Sequence, residues 1–102
     1  MLILKTLARG GAVEAGGMHG YGIAQHIQRI SGDILQVEEG SLYPALQRML
    51  IKGWVVAEWK QSENNRRARF YTLTPAGHKQ LAHELADYAH VATAIGRVIE
   101  AV

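Results

Sequence analysis

The 102-residue sequence contains no cysteine, which removes a disulfide scaffold, a zinc ribbon and a cysteine nucleophile together. No run of about 18 uncharged apolar residues occurs, so no membrane span is expected. Met1 to Leu7 is too short for the apolar region of a secretory signal and lacks a cleavage pattern, and a cytoplasmic address is the expectation. Charge of one sign is also scarce. Lys and Arg number 11 and Asp and Glu nine, for a net +2, so the overall balance assigns no partner by itself. Catalytic spacings are missing too. Among His19, His26, His78, His83 and His90 there is no i, i+4 pair, and the glycine-rich GGAVEAGG lacks the Lys-Ser/Thr ending of a phosphate loop. Surface or capping histidines are expected, and no catalytic residue, metal site or cofactor; the chain does not read as an enzyme.

What is present is an ordinary folding composition. Apolar residues make up 48% and charged residues 20%, which suits one small folded domain. Leu2, Ile3, Leu4 and Leu7 make a short first helix, closed by Gly10-Gly11. Residues 10–20 hold five glycines and read as the least ordered stretch. From Tyr21 onward, Ile23, Ile27 and Ile30 recur at helical spacing, and Ser31-Gly32 supplies a stop. In EEGSLYPALQRML, Pro44 has no amide hydrogen, which places a helix start between about Gly40 and Tyr43. Leu42, Ala45, Leu46, Met49 and Leu50 then share one face, Tyr43, Pro44, Gln47 and Arg48 the other, and Gly53 closes the helix.

Beyond Gly53 the period changes. Trp54 to Trp59 and Phe70 to Leu73 are β-type runs flanking the polar stretch KQSENNRRAR, which predicts an antiparallel hairpin with a long tip. Trp54 and Trp59 are expected to pack the hairpin or the core. Thr74-Pro75 is an N-cap followed by proline at the first helical position. In the last helix Leu81, Leu85, Tyr88, Ala92, Ile95, Ile99 and Val102 are separated by 4, 3, 4, 3, 4 and 3 residues, the period of a coiled-coil seam. A helix from Pro75 to Val102 would be roughly 42 Å long, too long for so small a core to cover. The surplus stripe predicts a homodimer.

Three helices, a hairpin and a fourth helix form the element order of a winged helix-turn-helix: mainly α with a small β-hairpin, with residues 1–74 as the DNA-binding part and 75–102 as a dimerisation helix in one structural unit. In that arrangement the second helix of the turn enters the major groove of double-stranded DNA. Tyr43, Gln47 and Arg48 would reach base edges or phosphates. The positive charge is also localised: residues 54–80 carry Lys60, Arg66, Arg67, Arg69 and Lys79 against Glu58 and Glu63, a net +3. Arg66, Arg67 and Arg69 thus fall where a wing needs cations for phosphates or a narrow minor groove.

HGYGIAQHI, VEEGSLYPALQRMLIKGWV and SENNRRARFYTLTPAGHKQL, in that order, resemble the PadR family of bacterial transcriptional regulators, over about residues 1–9 and 18–81. The resemblance implies a winged helix-turn-helix whose C-terminal helix dimerises and which binds palindromic operator DNA, usually as a repressor and sometimes released by a small-molecule effector. It carries the family's DNA-contacting helix onto Ser41, Tyr43, Pro44, Gln47 and Arg48, and the wing onto Asn64, Asn65, Arg66 and Arg67. Tyr71-Thr72-Leu73-Thr74 and Gly77 match the wing-to-helix junction. Where relatives pass from the first helix to HGYG by a short turn, GGAVEAGG intervenes here. Two alternatives stay open: a ligand-sensing dimer, although Tyr88 is the one aromatic of the last helix, and a winged-helix module that contacts only other proteins.

Overall fold

The computed structural model describes residues 1–9, 18–61 and 67–101. Among these, four helices surround a three-stranded antiparallel sheet: α1 (Leu2–Arg9), β1 (Met18–His19), α2 (Gly20–Ile30), α3 (Glu39–Ile51), β2 (Val55–Gln61), β3 (Arg67–Leu73) and α4 (Pro75–Glu100). The protein is mostly helical α+β, as the element order requires. Residues 10–17, which hold most of the glycine-rich stretch, lie outside the described residues, as does Val102 of the seam.

The four helices and the two hairpin strands each contribute to one core. Leu4 and Leu7 come from α1, Ile23 and Ile27 from α2, Leu42 and Leu46 from α3, Val55 from β2, Tyr71 from β3 and Leu81 from α4, and all are buried. The i, i+3 and i, i+4 pairs are those that a helix stacks on one face. Strand order is β1-β3-β2, with Val55 opposite Leu73, Trp59 opposite Arg69 and Gln61 opposite Arg67. On the other edge Met18 pairs with Tyr71 and His19 with Phe70.

Two boundaries depart from the sequence reading. The hairpin strands run through Lys60-Gln61 and resume at Arg67, so much of the stretch expected as a loop is ladder. Polar side chains are compatible with a strand that projects beyond the core, because both its faces meet water. Helix α3 begins at Glu39, one residue before the expected window, which puts Pro44 in its second turn. The carbonyl of Gly40 therefore has no Pro44 amide to accept from. Gly40 is exposed, so water can serve that carbonyl, while burial of Leu42 holds the first turn in place.

The junction into α4 is tightly tied. The Thr74 amide donates to the Trp54 carbonyl at 3.0 Å. Its Oγ1 donates to the Gly53 carbonyl at 2.6 Å and accepts the Gly77 amide at 3.0 Å, so one side chain caps α4 and anchors the turn that ends α3. Gly53 has φ +77°, the left-handed conformation a helix-terminating glycine supplies. Gly77 answers a different need: a Cβ there would run into the Trp54 carbonyl and lie 3.0 Å from Leu73 Cγ.

Helix α1 is clasped to α4 by the Met1 ammonium, 2.9 Å from Glu84 Oε1, with Gln80 Nε2 donating to Glu84 Oε2 at 2.9 Å. Burial alone would raise the Glu84 pKa, but the hydrogen bonds from the Met1 ammonium and Gln80 outweigh it and hold the carboxyl below its ordinary value. After Leu85, α4 leaves the core. Tyr88, Val91, Ile95, Val98 and Ile99 are all more than half exposed. The radius of gyration is 15.4 Å, against about 13 Å for a compact chain of this length.

Candidate nucleic-acid interface

Helix α3 is amphipathic in the sense a reading helix needs. Leu42 and Leu46 are buried, Met49 and Leu50 are half-buried against the core and Ala45 is half-buried, while Ser41, Tyr43, Pro44, Gln47 and Arg48 are exposed on the opposite side. The structure thus brings all five predicted positions of this helix onto one solvent-facing surface. Its N-cap residue, Glu38, makes no side-chain capping bond. The first-turn amides of Ser41 and Leu42 instead donate to the Glu38 carbonyl, both at 3.0 Å.

Tyr43 is exposed but not loose. A Cβ added at Gly20 would lie 2.9 Å from its Cε1 and 3.1 Å from its Oη, so the first glycine of HGYG leaves the space in which this ring rests. The histidine of the same motif caps α2: His19 Nδ1 accepts the Gly22 amide at 2.9 Å. Its ring also meets Phe70 of β3 edge-on at 5.4 Å and stacks on Tyr21 at 6.5 Å. HGYG therefore joins the sheet, α2 and α3 at one point. A capping role for this histidine was one of the two expectations for the histidines.

The hairpin carries the second cationic surface. Arg67 is exposed at the far end of β3, whereas Arg69 is half-buried. Both guanidinium carbons lie 5.9 Å from the Trp59 ring, and that of Arg69 is also 5.9 Å from the Tyr71 ring. Lys60, by contrast, has Glu58 at 3.5 Å. Asn64, Asn65 and Arg66, expected at the tip, lie outside the described residues. Trp54 is half-buried against the core with Lys52 Nζ 4.7 Å above its ring, whereas Trp59 is 59% exposed.

In the seam of the last helix, Leu81 is buried and Leu85 packs on the core of its own chain. Tyr88, Ala92, Ile95 and Ile99 face solvent. Val91 and Val98 widen that stripe and were not singled out from the sequence. Each follows Tyr88 or Ile95 by three residues, which is the signal that finds them. Among the described residues no group of three His, Cys, Asp or Glu side chains could hold a metal ion, and no helix is long and apolar enough to cross a membrane.

A model of the transcriptional regulator PadR-like family matches residues 3–83, which takes in the whole helix-turn-helix, the hairpin and the start of α4. The chain belongs to this family. Several chains of solved structure share its fold along most of their length. A transcriptional regulator from Clostridium thermocellum superposes with a TM-score of 0.83 at 22% identity, covering 97% of this chain and 90% of that one. A PadR-like transcriptional regulator from Bacillus cereus gives 0.77 at 22% identity, with 98% and 89% covered. A PadR family regulator from Clostridium difficile gives 0.76 at 24% identity, with 96% and 94% covered. In sequence, the chain is 37% identical over 100 residues to an uncharacterized 37.1 kDa protein in transposon TN4556 of Streptomyces fradiae. It spans 98% of this PadR-like chain but a quarter of that protein's length.

Proposed function

We propose that this PadR-like protein is a DNA-binding transcriptional regulator that acts as a homodimer, and that it represses by occupying a palindromic operator. The observation that carries this reading is the solvent face of α3. Ser41, Tyr43, Pro44, Gln47 and Arg48 stand together there, backed by buried Leu42 and Leu46. In a major groove, Gln47 offers a bidentate partner for adenine and Arg48 one for guanine or a phosphate. Arg67 and Arg69 lie on a hairpin that would meet the backbone beside it, and Arg66 precedes them in the chain. Dimerisation is supported by the uncovered stripe Tyr88, Ala92, Ile95 and Ile99, with Val91 and Val98 beside it, since two such stripes cover each other. A two-fold axis through the paired helices presents two copies of α3, and a dimer of that symmetry selects an inverted repeat. Where the repeat overlaps a promoter, the bound dimer excludes polymerase.

Substitution of Gln47 by Ala tests the reading surface. The ratio of affinities for a selected operator duplex and a scrambled one is expected to fall by about 1–3 kcal/mol, or roughly 5- to 150-fold, with the salt dependence retained. An unchanged ratio would move the reading surface elsewhere.

One observation favours an added effector site. A cleft of about 150 Å³ lies between α1 and α2, with Leu2, Ile27, Ile30 and Leu35 in its walls and Lys5 and His26 among its lining. Apolar space of that size admits a ring-sized guest. Titration with hydrophobic cationic dyes decides it: saturable binding that weakens on Ile27→Ala supports the cleft, and the absence of saturation removes it.

A further inference from the structure

Arg67 and Arg69 do not stand free like the tip of a solvated loop. Trp59 and Arg69 are directly opposed in the β2–β3 ladder, and Ala57 and Tyr71 are the next pair but one toward the core. With a side-chain period of two, Val55, Ala57, Trp59, Leu73, Tyr71, Arg69 and Arg67 all project from one sheet face. Near the core this face is apolar and Val55 and Tyr71 are buried; farther out it continues as an indole flanked by two guanidinium groups. Both guanidinium carbons are 5.9 Å from the indole, and Arg69 bridges from Trp59 to Tyr71. The Arg69 Nε is buried and makes no hydrogen bond. Neither arginine has a carboxylate partner among the described residues. Ring faces, not ion pairs, therefore set where these two charges stand, which leaves the charges themselves available to an anion.

We infer that Trp59 is a positioning residue for DNA binding: its indole holds Arg67 and Arg69 side by side on the hairpin so that both reach adjacent phosphates without first losing side-chain freedom. An arginine left unsupported must surrender that freedom on binding, which weakens the contact. The inference rests on the DNA-binding reading above and assigns to Trp59 an action through the arginines rather than a contact of its own. Because the ring is 59% exposed, little core packing depends on it.

The test is a double-mutant cycle on the full chain, with a duplex of random sequence of about 30 base pairs as probe and fluorescence anisotropy at low salt as readout. W59A and W59L, which lack the aromatic face, are each expected to bind about fivefold more weakly than the parent. W59F keeps a face and is expected to stay within about twofold of the parent. In an R67Q/R69Q background, W59A and W59L are expected to cause no further loss. Melting followed by circular dichroism checks that the hairpin is intact; should W59A melt early, the W59L and W59F pair carries the comparison. Equal binding by parent and W59L overturns the inference, as does an undiminished loss in the R67Q/R69Q background, which would mean that the indole touches the duplex itself. A parent that ignores the duplex altogether overturns the DNA-binding reading instead.

Discussion

Replacing Gly77 by Ala sets two physical effects of opposite sign against each other. In an exposed helix the change stabilises by about 0.5–1 kcal/mol, because glycine gives up more backbone freedom on folding. Here the new methyl group meets the Trp54 carbonyl and, at 3.0 Å, Leu73 Cγ. That carbonyl accepts the Thr74 amide at 3.0 Å, and the adjoining Gly53 carbonyl accepts Thr74 Oγ1 at 2.6 Å. Retreat of the Trp54 segment thus strains the α4 cap and the turn that ends α3 together. Overpacking of this kind costs about 1–3 kcal/mol, and a clash with backbone lies at the upper end. We expect a net loss of about 2 kcal/mol, equivalent to a Tm lowered by about 8–15 °C for a domain of this size. Thermal melting by circular dichroism at one fixed protein concentration measures it. Gly40→Ala is the control, because nothing lies within 4 Å of a Cβ there, and it is expected to be neutral or slightly stabilising. A Gly77→Ala protein that melts at or above the parent temperature would refute the packing of α4 on the Trp54 turn.

Three further outcomes follow from named contacts. Thr74→Ala removes the cap of α4 and the bond to Gly53 and should destabilise by about 1–2 kcal/mol, while Thr74→Ser should recover most of it; equal melting of all three proteins would contradict the cap. Glu84, held below its ordinary value of 4.5, contributes stability above that pH and loses it as pH falls through the lowered folded value. Parent and Glu84→Gln should therefore differ by about 0.5–1 kcal/mol in urea at pH 7 and converge as the pH falls below that lowered value, whereas a gap independent of pH would dismiss the Met1–Glu84 clasp. Ile95→Asp should dissociate the proposed dimer: two isoleucines at about 1.5–3 kcal/mol each correspond to at least a hundredfold in the dissociation constant by sedimentation velocity, and an unaltered constant would place the interface elsewhere.

Helices with a complete apolar period and a stop signal were legible in the residues. Ile23 and Ile27 identify the buried face of α2, Leu42 and Leu46 that of α3, and Thr74-Pro75 the start of α4. What escaped depends on pairing between distant segments. β1 has only Met18 and His19, too few residues for an alternation to appear, and it exists because β3 offers them an edge. The outer ladder of the hairpin was obscured by composition: Gln61, Arg67 and Arg69 read as loop residues, although Trp59, Gln61, Arg67, Arg69 and Tyr71 already alternate at the period of a strand. Pro44 misled for a related reason. Its missing amide is tolerated in the second turn because the carbonyl it leaves belongs to exposed Gly40. In the candidate site, the exposed face of α3 could be drawn from helical geometry alone, but the contact between Tyr43 and Gly20 and the stacking of Arg67 and Arg69 on Trp59 join residues 23, 8 and 10 positions apart, beyond the reach of local periodicity. The seam of α4 was legible as a period, not as a division: Leu81 and Leu85 serve the chain's own core, and the uncovered part begins only at Tyr88.

Selection of duplexes from a random pool by the purified protein, read by sequencing, bears most directly on the central claim that paired copies place two α3 helices on DNA. An enriched inverted repeat is expected, with half-site centres about one helical turn, roughly 10 base pairs, apart, and with enrichment lost when Gln47 and Arg48 are replaced together. No enriched sequence at low salt, or a single asymmetric site bound by one chain, would contradict it.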